Sequence, residues 1–110
     1  MWGKRGWGSA KRTEYDGRWY QSKAEATFAA GLDLRLKAKE IVWWKPQVPI
    51  KLMVNGHLIC TYKLDFAIYH LDGHLEYVEV KGHETNVWKL KWKLLHALKE
   101  EGVELSLVKA

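Results

Sequence analysis

Residues Tyr62 to Thr85 read YKLDFAIYHLDGHLEYVEVKGHET, and this stretch decides the fold. Two runs of alternating apolar and polar residues flank Asp72-Gly73, which is the pattern of an antiparallel hairpin. In the first run Tyr62, Leu64, Phe66 and Ile68 are expected on one face, with Lys63, Asp65, Ala67 and Tyr69 on the other. In the second, Tyr77, Glu79 and Lys81 alternate with Val78 and Val80. Residues two apart in a strand project together, so Glu79 and Lys81 share a face, and the hairpin can bring Asp65 beside them. Acids inside apolar strands are costly unless something compensates them. Two adjacent carboxylates both stay ionised only with a cation between them.

Upstream, Asn55-Gly56 is a two-residue hairpin signal joining Val48–Val54 to the run His57–Tyr69. Pro49 suggests that the earlier run lies at a sheet edge. A further short run, Ile41 to Trp44, ends before Pro46. Ser22-Lys23-Ala24-Glu25 has capping-box spacing and opens a helix expected to reach about Lys39. Phe28, Ala29, Leu32 and Leu36 fall on one face of that helix. Glu25 sits within about 60° of each of them at roughly 100° per residue. A glutamate that only caps needs no place on the buried stripe, so this carboxylate should also point toward the sheet.

Downstream, Gly82 breaks the strand and Thr85 caps a second helix, expected from Asn86 to about Glu101. Val87, Leu90, Leu94, Ala97 and Leu98 form its main apolar face, widened by Trp88, Trp92 and Leu95. Lys91 falls inside that arc, and Lys89 and Lys93 fall opposite. Gly102 stops the helix, and Val103 to Val108 is a closing strand. The expected fold is α/β, a mixed sheet flanked by helices in the order α-β-β-β-β-α-β.

At 110 residues there is room for one core. No apolar run approaches the roughly 20 residues of a membrane span, and the N-terminus has no signal-peptide pattern, so a cytoplasmic protein with no membrane partner is expected. A lone cysteine, Cys60, excludes an internal disulfide and a multi-cysteine zinc site. The five histidines, His57, His70, His74, His83 and His96, show no ligand spacing. Lys and Arg total 18 against 13 acids, a net charge of +5 that suits a polyanion-binding surface. Residues 1–21 interleave Lys4, Arg5, Lys11, Arg12 and Arg18 with Trp2, Trp7 and Trp19. They divide the chain into a basic arm over 1–21 and a domain over 22–110. The arm has two readings: a frayed terminus with a small hairpin at Asp16-Gly17, or a segment that neutralises phosphates while its rings stack.

Asp65, Glu79 and Glu25 supply the oxygen ligands that magnesium takes, and magnesium keeps waters for a phosphate substrate and a nucleophile. Lys81 would position the attacking water or neutralise charge on the phosphorane. Each residue also has a plainer use. Glu79 and Lys81 suit a wet sheet face, as does Asp65; Glu25 suits a cap, and Lys91 can snorkel out of the core. All four acid and lysine positions in this order are harder to dismiss together.

Asp65 followed by Glu79-Val80-Lys81 resembles the D…(D/E)-x-K signature of the PD-(D/E)XK nuclease superfamily, with Leu64 where the proline of its name would stand. Tyr15-Asp16-Gly17, Ser22-Lys23-x-Glu25, Gln47, Asp65-Phe66, Val80-Lys81-Gly82, Thr85 and Lys89-x-Lys91-x-Lys93-Leu94 look like a family of small phage nucleases that includes Holliday junction resolvases. The resemblance covers roughly Glu14 to Val108. It implies a restriction-endonuclease-like α-β-β-β-α-β core and Mg2+-dependent phosphodiester hydrolysis, with Mn2+ able to substitute. It further implies Glu25, Asp65, Glu79 and Lys81 as catalytic residues and Asp65, Glu79, Val80 and Glu25 around the metal. The expected substrate is branched DNA, chiefly four-way junctions, cut in pairs by a homodimer; a phage-encoded member would act in the host cytoplasm. Candidate DNA contacts are Lys4, Arg5, Lys11, Arg12 and Arg18 of the arm, with Lys23, His83, Thr85, Lys89 and Lys91 of the domain. The competing readings are a nicking, flap, repair or restriction-like endonuclease, and an inactive DNA-binding module.

Overall fold

A tight hairpin opens the described part of the chain, β1 (Thr13–Tyr15) and β2 (Arg18–Tyr20), turning at Asp16-Gly17. Both turn residues are left-handed, φ 51° and 78°, the geometry that matches strand twist in a two-residue turn. The computed structural model describes residues 11–110, and Trp2, Lys4, Arg5 and Trp7 lie outside the described residues. The Tyr15 hydroxyl donates to Asp33 on the first helix, and the Trp44 indole donates to the other Asp33 oxygen at 3.0 Å. Tyr20 is buried against Phe66. The hairpin is thereby docked on the sheet and helix that follow it.

After it come α1 (Lys23–Lys37), β3 (Ile41–Val54), β4 (His57–His70), β5 (Leu75–Lys81), α2 (Asn86–Leu98) and β6 (Glu104–Lys109). One sheet has the order β3-β4-β5-β6; β3, β4 and β5 are antiparallel, and β6 runs parallel to β5 after the α2 crossover. Among the described residues no helix is long and apolar enough to cross a membrane. The fold is α/β with a mixed sheet between two helices.

Ile41–Trp44 and Val48–Val54 are not two strands but one, β3, so three strands separate the helices where four were expected. Pro46 does not end the run because β3 is an edge strand, where a missing N–H is tolerated. Gln47 absorbs the local distortion with φ 52°. It lies between the pairs Pro46↔Phe66 and Val48↔Leu64, opposite Asp65.

That level of the sheet also changes which way side chains point. Phe66 and Ile68 pack with Ala26, Ala29 and Leu32 of α1, whereas Tyr62 and Leu64 pack with Trp88 and Leu95 of α2. The four residues expected on one face are divided between two clusters. The change falls where β4, paired with β5 over Phe66–Tyr69, parts from it at Asp65.

Both helices are shorter than expected. Lys39 takes φ 60° just past α1, and Lys99 turns extended just past α2. Leu36 is exposed rather than buried. On α2 the buried residues are Trp88 and Leu95, with Trp92 partly buried beside them, while Val87 and Leu90 are 65% and 69% exposed and Leu98 is exposed too. Trp88 and Trp92 stack with centroids 5.6 Å apart, and the larger rings, one turn apart, take the core side.

Candidate active site

Ser22, in extended conformation, caps α1 by accepting the Glu25 amide N–H at 3.1 Å. The cap aligns the first turn so that Glu25 faces inward and is 7% exposed, beside Ala26 and Ala29. A glutamate in a first turn is favoured by the helix dipole, but its burial is not explained by that.

Where β4 leaves β5, the Asp65 carboxylate takes over the ladder and accepts the Val80 N–H at 2.8 Å. One side chain thus satisfies a backbone donor freed by the splitting of two strands. Glu79 on β5 is opposite Asp65 and only 5% exposed. The Tyr62 hydroxyl donates to its Oε1 at 2.9 Å, and the Trp88 indole N–H donates to Tyr62 at 2.9 Å. Lys81 Nζ lies 3.9 Å from Glu79 Oε2 and 5.2 Å above the Trp88 ring. Thr85 caps α2 by accepting the Trp88 N–H at 3.1 Å, which sets the helix end under this network.

The three acids, Lys81, Thr85 and Lys91 line one cleft of about 550 Å³, with Val80 in its wall. Burial and then the neighbouring Asp65 push Glu25 up to about 7, and the same two causes push Glu79 up to about 7. Asp65 is also raised by burial, against the opposing pull of the Val80 N–H and Lys81. Tyr62 is held protonated by burial and by Glu79, so it remains a donor. Of the lysines that line the cleft, Lys63, Lys81 and Lys91, only Lys81 comes within 4 Å of one of the three carboxylates, so the buried acids lack close compensating charge. Hard oxygen donors in this number suit a magnesium-type cation. Asp65, Glu79 and Glu25 could hold it through carboxylate oxygens, and Val80 could offer only its carbonyl.

Glu25, Asp65, Glu79, Val80, Lys81, Thr85 and Lys91 are therefore brought together as anticipated. Lys23, His83 and Lys89 are exposed outside the lining. Lys11 is exposed, Arg12 stacks over Trp19 at 5.2 Å, and Arg18 donates to Gln47 Oε1 at 3.2 Å. Gln47 lines the cleft mouth and donates to the Trp19 carbonyl at 3.1 Å, linking the hairpin to the site. Sequence reasoning missed Tyr62 and Trp88 as the residues that hold Glu79. The signal was present: a Tyr and a Trp buried beside an acid need polar partners for O–H and N–H.

Comparison with curated proteins and with solved structures gives no match. A family model described as a protein of unknown function, DUF1064, matches residues 6–109, nearly the whole chain and all of the cleft. The chain belongs to the DUF1064 family.

Proposed function

We propose that the chain is a metal-dependent endonuclease of PD-(D/E)XK type that hydrolyses phosphodiester bonds in DNA, with four-way junctions as its main substrate. One observation carries the reading: the carboxylates of Glu25, Asp65 and Glu79 converge, largely buried, in one cleft where only Lys81 comes within ion-pair distance of any of them, an arrangement that costs stability until a cation is bound. The α-β-β-β-α-β order of the main sheet and its helices agrees with it.

Magnesium, when bound, supplies a Lewis acid for the phosphoryl oxygen and lowers the pKa of water. The chain does the rest. Asp65 and Glu79 are fixed by the Val80 N–H and the Tyr62 hydroxyl, so neither needs to reorganise during the reaction. Lys81, braced on Trp88 beside Glu79, orients the attacking water or meets charge developing on the phosphate. Glu25 completes the oxygen set from α1. Lys63 and Lys91 at the cleft, with Arg18 at its mouth, give the phosphates a basic approach. Paired cuts call for two sites related by a twofold axis. The exposed Val87 and Leu90 beside the cleft are apolar surface that a second copy could cover.

The test is cleavage of four-way junction, flap, single-stranded and linear duplex DNA with Mg2+, with Mn2+ and with chelator, alongside sedimentation. Metal-dependent paired cutting of the junction by a dimer is expected. No cleavage of any substrate with either metal would overturn the enzyme reading. Preference for the flap, or nicking by a monomer, would keep the nuclease and replace the resolvase.

A further inference from the structure

Four residues, Leu71 to His74, join β4 to β5, and Leu71, Asp72 and Gly73 lie between the two histidines. His70 N donates to the His74 carbonyl at 3.0 Å and Gly73 N donates to His70 at 3.0 Å, with Gly73 at φ 91°. This closure sets His70 and His74 side by side across the base of the turn, and their rings stack 4.2 Å apart and 3° from parallel. Spacing along the chain gave no hint of a ligand pair; the loop length does.

Around the two imidazoles stand Asp72, Glu76 and Glu104. Glu76 and Glu104 occupy directly paired positions on β5 and β6, where like charges repel. Glu76 bonds His70 Nε2 at 2.7 Å and accepts from the Ser106 hydroxyl. Asp72 bonds His74 Nδ1 at 2.5 Å, and Glu104 lies 2.9 Å from His74 Nε2. With the Nδ1 proton held by Asp72, the Nε2 lone pair and a carboxylate oxygen face each other. Two acceptors at that distance need a proton or a metal ion between them. One ligand atom from each of His70, His74 and Glu104 lies within 4.8 Å of the others.

We propose that His70, His74 and Glu104 bind a divalent ion of the zinc type, clipping the β4–β5 hairpin to the start of β6. Imidazole nitrogens with one carboxylate suit zinc, cobalt or nickel rather than magnesium. Ligand atoms about 2.0–2.1 Å from a common tetrahedral ion sit roughly 3.3 Å apart, so His74 and Glu104 must open by only a few tenths of an ångström. Asp72 and Glu76 orient the two rings, as carboxylates do for metal-binding histidines. The cluster is on the face and end of β5 opposite to Glu79, and side chains of His74 and Glu104 remain 33% and 52% exposed for ion entry. The site does not depend on the nuclease reading.

The test is a Co2+ titration of the full chain in excess Mg2+, read by visible absorption and by thermal midpoint, followed by displacement with Zn2+. One equivalent of Co2+ with an imidazole-type band and a raised midpoint is expected. His74→Ala should abolish both, and Asp72→Asn should weaken binding about 10–100-fold. His57→Ala, at the far hairpin, should change neither. Glu104→Gln, on an exposed side chain, is the variant to use if His74→Ala unfolds. Absence of a bound equivalent, or binding that survives both His74→Ala and Glu104→Gln, overturns the site.

Discussion

The two ends of β5 carry the same residue type under opposite conditions. At Glu79 the carboxylate is buried, shares the cleft with Asp65 and Glu25, and has the Tyr62 hydroxyl at 2.9 Å and Lys81 at 3.9 Å as its compensation. At Glu76 the carboxylate is half-buried but meets an imidazole and a hydroxyl. At the first end the buried charge lacks a close cation, whereas at the second each Glu76 oxygen has its own partner. A protein that optimised only stability would not keep the first. The difference teaches that the same glutamate on one strand can hold charge in reserve or spend it on folding, according to which neighbours the topology provides.

The comparison breaks most visibly in activity. Asp65→Asn or Glu79→Gln should lower cleavage by about 10²–10³-fold or more, the scale of losing a fixed electrostatic partner, with junction binding nearly intact. Lys81→Ala should cost a similar factor. Wild-type cleavage in either carboxamide variant would remove these residues from the reaction.

Next in size is a pH effect on the metal-free protein. Glu25 and Glu79 are raised to about 7 in the fold, above the unfolded carboxylate value of about 4.5. Between those values the folded state binds more protons than the unfolded, so stability must fall as pH rises through that window. Thermal midpoints should therefore drop from pH 5 to pH 8. Added Mg2+ should restore the midpoint at pH 8 and do little at pH 5, where protons already neutralise the acids. A midpoint that rises with pH in chelator would contradict the charge assignment. Tyr62→Phe tests the support of the same site: it leaves Glu79 and the Trp88 N–H without their partner and should cost about 1–3 kcal/mol.

Much of this site could be read from residue order. Glu25 was legible because capping spacing and a buried stripe coincide at one position, and Glu79-x-Lys81 because strand alternation has period two. What was not legible depends on long-range geometry. Nothing local says that Gln47 will adopt a left-handed conformation opposite Asp65, yet this level is where side chains of β4 change cluster. On α2, Val87 and Leu90 compete with Trp88 and Leu95 for the core, and only packing against the sheet chooses. The histidine pair depends on how the turn closes, with His70 N bonded to the His74 carbonyl, which the turn residues Asp72-Gly73 alone do not specify.

The smallest effect gives the sharpest form of the comparison, because it concerns a sign. Glu79→Gln keeps an acceptor for Tyr62 and removes a buried charge, so in chelator at pH 8 it should stabilise the protein by roughly 1–3 kcal/mol. Glu76→Gln removes the charge from bonds to His70 and Ser106 and should destabilise by about 1 kcal/mol. The two changes are chemically identical and three residues apart on one strand. Chemical denaturation of both variants in chelator measures the pair of signs directly. If Glu79→Gln also destabilised, its carboxylate would be earning its place in the fold, and the case for an acid held ready for a cation would lose its energetic basis.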